Sequence, residues 1–421
     1  MHFRQLRSRS AKTASLVIVD QALFSTAGFI STVLLARLLP PDQFGIFSAI
    51  QSLAILTIVI HASLLIEPMS VLGITVFGES KLQYYRLQVV GHFLLSLALA
   101  LLLVPILLVV LGSVRNYLPT IVTAVVLMHP LYLAPYLGRR YYYNTRQFSG
   151  AVGISLTYFL ILPAAVFGLY VAHCLTSVSA WVAVGLASGL ASSAAFCHLW
   201  LESNQQITKI NVRHVIGQHF DFGRWVLVGA IFGLASQQLP IYAATRWLGP
   251  EAAAEFRALT LPMLPPALVM TALASAALAS VVAAQASGDQ RRVNSIALKM
   301  TVLFVVGSIA YSLLITIFAR PILAILYGTK YSALTGLMEV ASLGNIALGA
   351  SAVWGLVMRA ARWLRLLFMI NVVSLLVAVV ATATLVRSMG VKGAVYANLG
   401  VTITSAILQM VSCYSMRSKA R

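Results

Sequence analysis

Twelve stretches of this chain are long and apolar enough to cross a bilayer, and no other feature restricts its fold as tightly. A helix needs about 20 mainly apolar residues to traverse a hydrocarbon core roughly 30 Å thick. The runs cover residues 14–38, 44–70, 87–111, 117–137, 150–173, 178–200, 223–246, 256–285, 296–318, 333–357, 363–386 and 393–414. The eighth contains Pro262, Pro265 and Pro266, so it is expected either as one kinked helix or as a broken one. The longest inner connection, 201–222, leaves no room for a soluble catalytic domain, and no enzymatic activity is expected.

Charge sets the orientation. Lys and Arg number 29 against 10 Asp and Glu, a net +19, although only 9% of residues are charged. In a soluble protein that excess would point to nucleic acid. Here long uncharged stretches separate the basic residues, so nucleic acid is excluded as a partner. With the N-terminus in the cytoplasm, 21 of the 29 basic residues fall on inner segments, as the positive-inside rule requires. Every inner segment is basic, from Arg4, Arg7, Arg9 and Lys12 to Arg417, Lys419 and Arg421. The expected fold class is all-α: a polytopic membrane protein with twelve transmembrane helices in two six-helix lobes and both termini cytoplasmic. The domains follow as a basic tail 1–13, an N-terminal lobe 14–200, a cytoplasmic linker 201–222, a C-terminal lobe 223–414 and a tail 415–421. Cys174, Cys197 and Cys413 have neither metal nor disulfide spacing, so core packing is expected of them, with no metal and no cofactor.

The two lobes carry traces of a repeat. Ala36-Arg37-Leu38-Leu39-Pro40-Pro41-Asp42, with Phe47 and Ala49, matches Thr245-Arg246-Trp247-Leu248-Gly249-Pro250-Glu251, with Phe256 and Ala258, at an ungapped offset of 209. Each is a helix ending in Arg, a Pro/Gly turn, and an acid at the start of the next helix. A weaker echo pairs Arg140, Arg146 and Ser155 with Arg359, Arg365 and Ser374 at an offset of 219. Paired repeats of this kind are a transporter feature.

Asp20-Gln21-Ala22, then Ala36-Arg37-Leu38-Leu39-Pro40-Pro41-Asp42-Gln43-Phe44-Gly45-Ile46-Phe47, resemble the Wzx-type polysaccharide flippases that export O-antigen and exopolysaccharide units. That family belongs to the superfamily of multidrug and toxin extruders and lipid II flippases. Gly138-Arg139-Arg140-Tyr141-Tyr142-Tyr143-Asn144 is similar in type. The resemblance implies two lobes in a V, alternating access, and a polyprenyl-diphosphate-linked oligosaccharide moved across a bacterial inner membrane. Membrane lipids are expected partners, with H⁺ or Na⁺ as a candidate coupling ion and a polysaccharide polymerase as a candidate partner. The alternative is a cation-coupled multidrug extruder of the same superfamily; the surplus of basic over acidic groups near the spans suits an anionic head group better.

Ionisable groups inside spans are expensive and mark function by default. Asp20 and Glu67 fall near the inner ends of spans one and two and are candidates for ion coupling; hydrogen-bonded or Arg-paired structural roles are the alternative. Glu339 lies near the outer end of span ten and suits a rim salt bridge with Lys330 or Arg320. Arg37, Arg246, Arg224, Lys299 and Arg257 are candidate contacts for the diphosphate. Arg37 and Arg246 sit at equivalent helix ends, where dipole stabilisation and snorkelling compete with that role. His61, His92 and His129 lie within spans, where neutral interhelical hydrogen bonding is favoured over a proton relay. Tyr141, Tyr142 and Tyr143 are expected in an interfacial aromatic belt. The spacings Gly185–Gly189 and Gly229–Gly233 permit close helix packing within a lobe.

Overall fold

The computed structural model describes residues 2–112, 114–203, 210–361 and 363–419. Lys209, Arg362 and Arg421, and positions 204–209 of the expected linker, lie outside the described residues. Helices form the whole frame: α1 His2–Leu38, α2 Pro41–His61, α3 Glu67–Thr75, α4 Lys81–Val110, α5 Leu118–Asn144, α6 Phe148–Val171 and α7 Ser177–Ser203. There follow α8 Val212–Ala243, α9 Pro250–Thr260, α10 Leu264–Ala286, α11 Gln290–Tyr327, α12 Thr335–Ala360, α13 Leu364–Met389 and α14 Val391–Lys419. Among the described residues, 11 helical stretches are long and apolar enough to cross a membrane. The protein is an all-α polytopic membrane protein.

Besides the π-helical end of the seventh span, Ala244–Leu248, and the kink at Phe318 in the ninth, two spans are interrupted. In the second, α2 passes through a π-helical turn, Ala62–Ile66, into α3, where Pro68 is the second residue. A π turn widens the helix and redirects backbone carbonyls, and such turns concentrate at functional sites. In the eighth, α9 and α10 are joined by a 3₁₀ turn at Leu261–Met263. Pro262 has no N–H, and Pro265 and Pro266 open the next helix, so the α-helical ladder is interrupted there while the flanking backbone stays right-handed helical.

The chain divides into two compact units, one ending at Leu227 and the other beginning at Val228. In the first, α7 lies hard against α5. A Cβ added to Gly185 would sit 2.7 Å from Met128 Cβ, and one on Gly189 would sit 3.0 Å from Leu131 Cδ2. Only glycine allows these backbones so close, which is the packing expected of the spacing. In the second unit, Val353, Leu356, Val357 and Met358 of α12 pack with Phe304, Ile370 and Cys413 from α11, α13 and α14. Cys413 therefore does pack in a core; Cys174 and Cys197 are exposed, so core packing does not describe them. Leu94, Leu101, Leu102 and Val109 along α4, and Val302, Leu303, Val306 and Leu313 along α11, are exposed. Rows of exposed aliphatics on a long helix are what lipid contact produces.

Candidate functional site

Asp20 is 0% exposed, on a helix that crosses hydrocarbon. A bare carboxylate there would cost several kcal/mol, and the surrounding helices supply the compensation. Arg139, near the inner end of α5 and only 7% exposed, reaches α1 and grips Asp20 with both arms of its guanidinium. Nη2 donates to Oδ2 at 2.7 Å and Nε donates to Oδ1 at 3.1 Å. Nη2 also donates to Gln21 Oε1 at 3.0 Å, and the guanidinium lies over the Phe24 ring at 4.4 Å. The hydroxyls of Tyr143 and of Ser155, on α6, donate to the same carboxylate. Three helices thus converge on one acid, and all its partners are donors.

Planarity makes this pairing two-sided. The guanidinium fork that fits a carboxylate also fits a phosphate. Here the Asp20 carboxylate fills it.

Glu67 opens α3 directly after the π turn and interacts electrostatically with Arg140. Neighbouring arginines of α5 therefore serve two acids, Asp20 from α1 and Glu67 from α3. A third polar layer links α2, α4 and α5. His61 Nε2 and His92 Nδ1 are 2.9 Å apart, and His92 Nε2 lies 3.0 Å from the Pro130 carbonyl. The carbonyl can only accept, so His92 Nε2 carries a proton, and in a neutral ring Nδ1 then accepts from His61. For His61 and His92 this is the interhelical hydrogen bonding expected of them; neither ring nitrogen of His129 has a hydrogen-bond partner among the described residues. His129 is buried in the same unit, its ring 5.9 Å from that of Tyr132.

The start of α8 docks on the π turn. His219 Nδ1 donates to the Leu64 carbonyl at 3.0 Å, and its Nε2 meets the Tyr84 hydroxyl at 2.7 Å. One turn later Gly223 presses on the same backbone: a Cβ there would be 2.5 Å from the Ser63 carbonyl. A carbonyl made available by the π turn thus gains a partner from α8. Burial pushes the His219 imidazole below its ordinary pKa, and the hydrogen bond to Leu64 pulls the other way.

The basic candidates are divided between the two units. Arg37 and Arg246 are exposed in the last turns of α1 and of the π-helical end of α8, where the carbonyl dipoles favour a cation. Arg224 is paired with Asp221 one turn away at 3.3 Å, both well exposed. Lys299 is exposed on α11, and Arg257 is half-buried in the last turn of α9 near Tyr327. The tyrosine run is not an interfacial belt: Tyr141 is fully buried, Tyr142 nearly so, and Tyr143 reaches Asp20. Tyr141 packs edge-on against Tyr85, filling the interior rather than the membrane edge.

Arg139, Tyr143 and Ser155 are the residues that inspection of the sequence does not single out as a site. Arg139 stands among other inner-side arginines, 119 positions from Asp20, with nothing local to reveal the partner. The one available signal is its place in the Gly138–Asn144 segment, and for Ser155 its place in the repeat.

A sequence model for a family described as polysaccharide biosynthesis protein matches residues 34–335. A search of curated proteins by sequence finds no match. The fold resembles that of the lipid II flippase MurJ in an inward closed conformation, with a TM-score of 0.76 at 13% identity over 96% of this chain and 87% of that one. An inward-facing multidrug resistance MATE family transporter of the MOP superfamily gives 0.70 at 12% identity, covering 97% of this chain and 98% of the other. A MOP superfamily transporter from Pyrococcus furiosus, described as having a binding pocket of reversed polarity, gives 0.61 at 14% identity over 97% and 95%.

Proposed function

Because the chain belongs to the polysaccharide biosynthesis protein family, we propose that it is a flippase for a polyprenyl-diphosphate-linked oligosaccharide. It would work by alternating access in a bacterial inner membrane, ahead of a polysaccharide polymerase. The observation that carries this reading is the buried Arg139 held by a single exchangeable carboxylate, Asp20. A drug extruder for cations has little use for a buried guanidinium. A carrier of an anionic head group does, provided that the guanidinium can be covered when the head group is absent.

Asp20 is the proposed coupling residue, for H⁺ or Na⁺, and Glu67 with Arg140 a second acid–base pair beside it. Loading of the carboxylate loosens Arg139 and biases the unit toward the state that accepts the diphosphate, which is coupling by differential affinity of two states. Lys299 and Arg224 are proposed to collect the anionic head group at the inner side, and Arg37, Arg246 and Arg257 to guide its release at the outer side.

Deletion of the gene in its native host tests the class. Accumulation of polyprenyl-linked glycan and loss of surface polysaccharide, restored by the wild type and not by Arg139→Ala at equal protein level, is the expected result. Normal polysaccharide with new sensitivity to cationic dyes would replace this reading with the extruder.

A further inference from the structure

The seventh span, Leu227–Leu248 of α8 and its π-helical end, is the least hydropathic of the 11, and only 28% of its core stretch is buried. The span of α4, covered to a similar extent, is the most hydropathic of all, as a lipid-facing helix should be. The polarity of the seventh span centres on Gln237 and Gln238. Gln237 is ten residues from Leu227 and eleven from Leu248, about 15 Å from either end at 1.5 Å per residue. Gln237 is exposed and Gln238 half-buried, and neither amide has a hydrogen-bond partner among the described residues. An unpaired amide facing hydrocarbon is costly, and from mid-span a side chain of this length cannot snorkel to a surface. Such a flank belongs against water rather than lipid.

A different face of α8 packs within the second unit. Asn371 of α13 donates to the Gly229 carbonyl at 2.9 Å, a Cβ on Gly233 would lie 3.3 Å from Asn371 Cγ, and Phe232 meets Phe368 edge-on at 5.4 Å. Ser236 and Pro240 continue that face at helical spacing and are buried. Gln237 and Gln238 lie about 100° and 200° round the helix from Ser236, so both turn away from it. The glycine face that would admit a second copy of the chain is already filled by α13.

The pair has the chemistry of a sugar contact. Each side-chain amide offers two N–H donors and a carbonyl acceptor, and neighbouring hydroxyls on a sugar ring offer both in return. Pro240 lacks the N–H that would bond the Ser236 carbonyl in an α-helix, which adds a backbone acceptor beside them. No residue from Trp225 to Thr245 is charged, so this stretch offers a diphosphate no counter-charge. At the repeat offset of 209 the first unit has Gly28 and Phe29 at these positions, so the amides belong to the second unit alone.

We propose that Gln237 and Gln238 bind hydroxyl groups of the carried glycan and set which sugar passes. The inference rests on the lipid-linked oligosaccharide reading and adds to it a sugar-reading site in the second unit, distinct from the Asp20–Arg139 pair of the first. A site built to hydrogen-bond a hydroxyl discriminates strongly against a ligand that lacks it, because its own amides are then left unpaired.

Binding is measured with the full-length protein in nanodiscs and two probes: the polyprenyl-linked glycan purified from the deletion host, and undecaprenyl diphosphate without sugar. Wild type is expected to prefer the glycan lipid by at least about tenfold, and the double variant Gln237→Leu with Gln238→Leu to lose most of that preference. Leucine suits a membrane span, and the two single variants are measured beside the double one should it fail to fold. An unchanged preference in the folded variants would overturn the proposal. So would a wild-type oligomer that the variants dissolve with the preference intact, which would make the amides an interface between copies. A deletion host that accumulates no glycan lipid would instead remove the transport reading itself.

Discussion

The two units answer the same topology with different interiors. At the repeat offset of 209, Asp20 falls on Gly229; at the offset of 219, Arg139 falls on Met358 and Ser155 on Ser374. Both members of the ion pair are replaced together, while the serine is kept. Met358 is fully buried in the apolar core of the second unit, and Ser374 Oγ has no hydrogen-bond partner among the described residues. Where Asp20 stands in the first unit, the Gly229 carbonyl of the second accepts from Asn371 Nδ2 at 2.9 Å. All eight histidines also precede position 220. The interior of the second unit is held by neutral groups, such as Ser312 donating to the Ser342 carbonyl at 2.9 Å and Ser351 to Gln409 at 3.2 Å. Among the described residues the second unit buries no acid–base pair, although the Nε of the half-buried Arg257 is enclosed, so the buried pair in the first unit points to what that unit does.

The sharpest break of this contrast is to give the first unit the second unit's residues. Arg139→Met alone strands a buried carboxylate and is expected to cost about 3–5 kcal/mol of stability in detergent. Adding Asp20→Ala is expected to recover most of that loss, because a buried ion pair replaced by apolar groups is often nearly neutral. Both variants should lose transport. A double variant as unstable as the single one would mean that the pair is structural after all. Thermal unfolding of the purified proteins decides this.

The glycine pairs provide a smaller contrast. Gly185→Leu drives a side chain into Met128 and is expected to cost about 1–3 kcal/mol by overpacking. Gly229→Ala meets nothing within 4 Å and is expected to change stability little. Unfolding midpoints of the two variants, compared with wild type, check both.

Acid should loosen only the first unit. His219 is held neutral by burial, so the folded state binds its proton less readily than the unfolded chain does. Its contribution is complete above the unfolded pKa of about 6.5 and is lost as pH falls below that value toward the lowered folded one. Amide exchange across residues 212–223 is expected to speed up between pH 8 and pH 5 in wild type. In His219→Phe it should be faster throughout and lack that additional step. The smallest effect is in the second unit, where Asn371→Ala removes one hydrogen bond to Gly229 and is expected to cost about 1 kcal/mol, with no pH dependence.

Much of the architecture is legible from local pattern. Hydropathy is additive along a run, so the spans emerge by counting, and the glycine spacing at 185 and 189 marks the α5–α7 contact because nothing larger would fit. The proline cluster at 262–266 announces a disturbance in the eighth span, although hydropathy cannot say whether the helix bends or breaks. Asp20 is equally visible, since a carboxylate in a span must have a reason. Its partner is not, because the pairing is set by tertiary packing of α1 on α5 and α6, and Arg139 looks like any inner-side arginine. The tyrosine run fails as a belt for the same reason: interfacial residues and interior residues at a helix end have the same composition and differ only in which face the neighbouring helices cover. The π turn after His61 leaves no mark in hydropathy either, and with it the docking of His219 stays hidden.

On the reading proposed above, ion coupling through Asp20 acts by loosening Arg139. The most direct test is the rate of lipid-linked oligosaccharide movement in vesicles, measured against pH and against Na⁺ for wild type and Asp20→Asn. Wild type is expected to depend on one of the two ions and Asp20→Asn to give a flat profile, because the amide keeps the shape of the side chain and carries no charge. A profile in Asp20→Asn that follows the wild-type curve would contradict it.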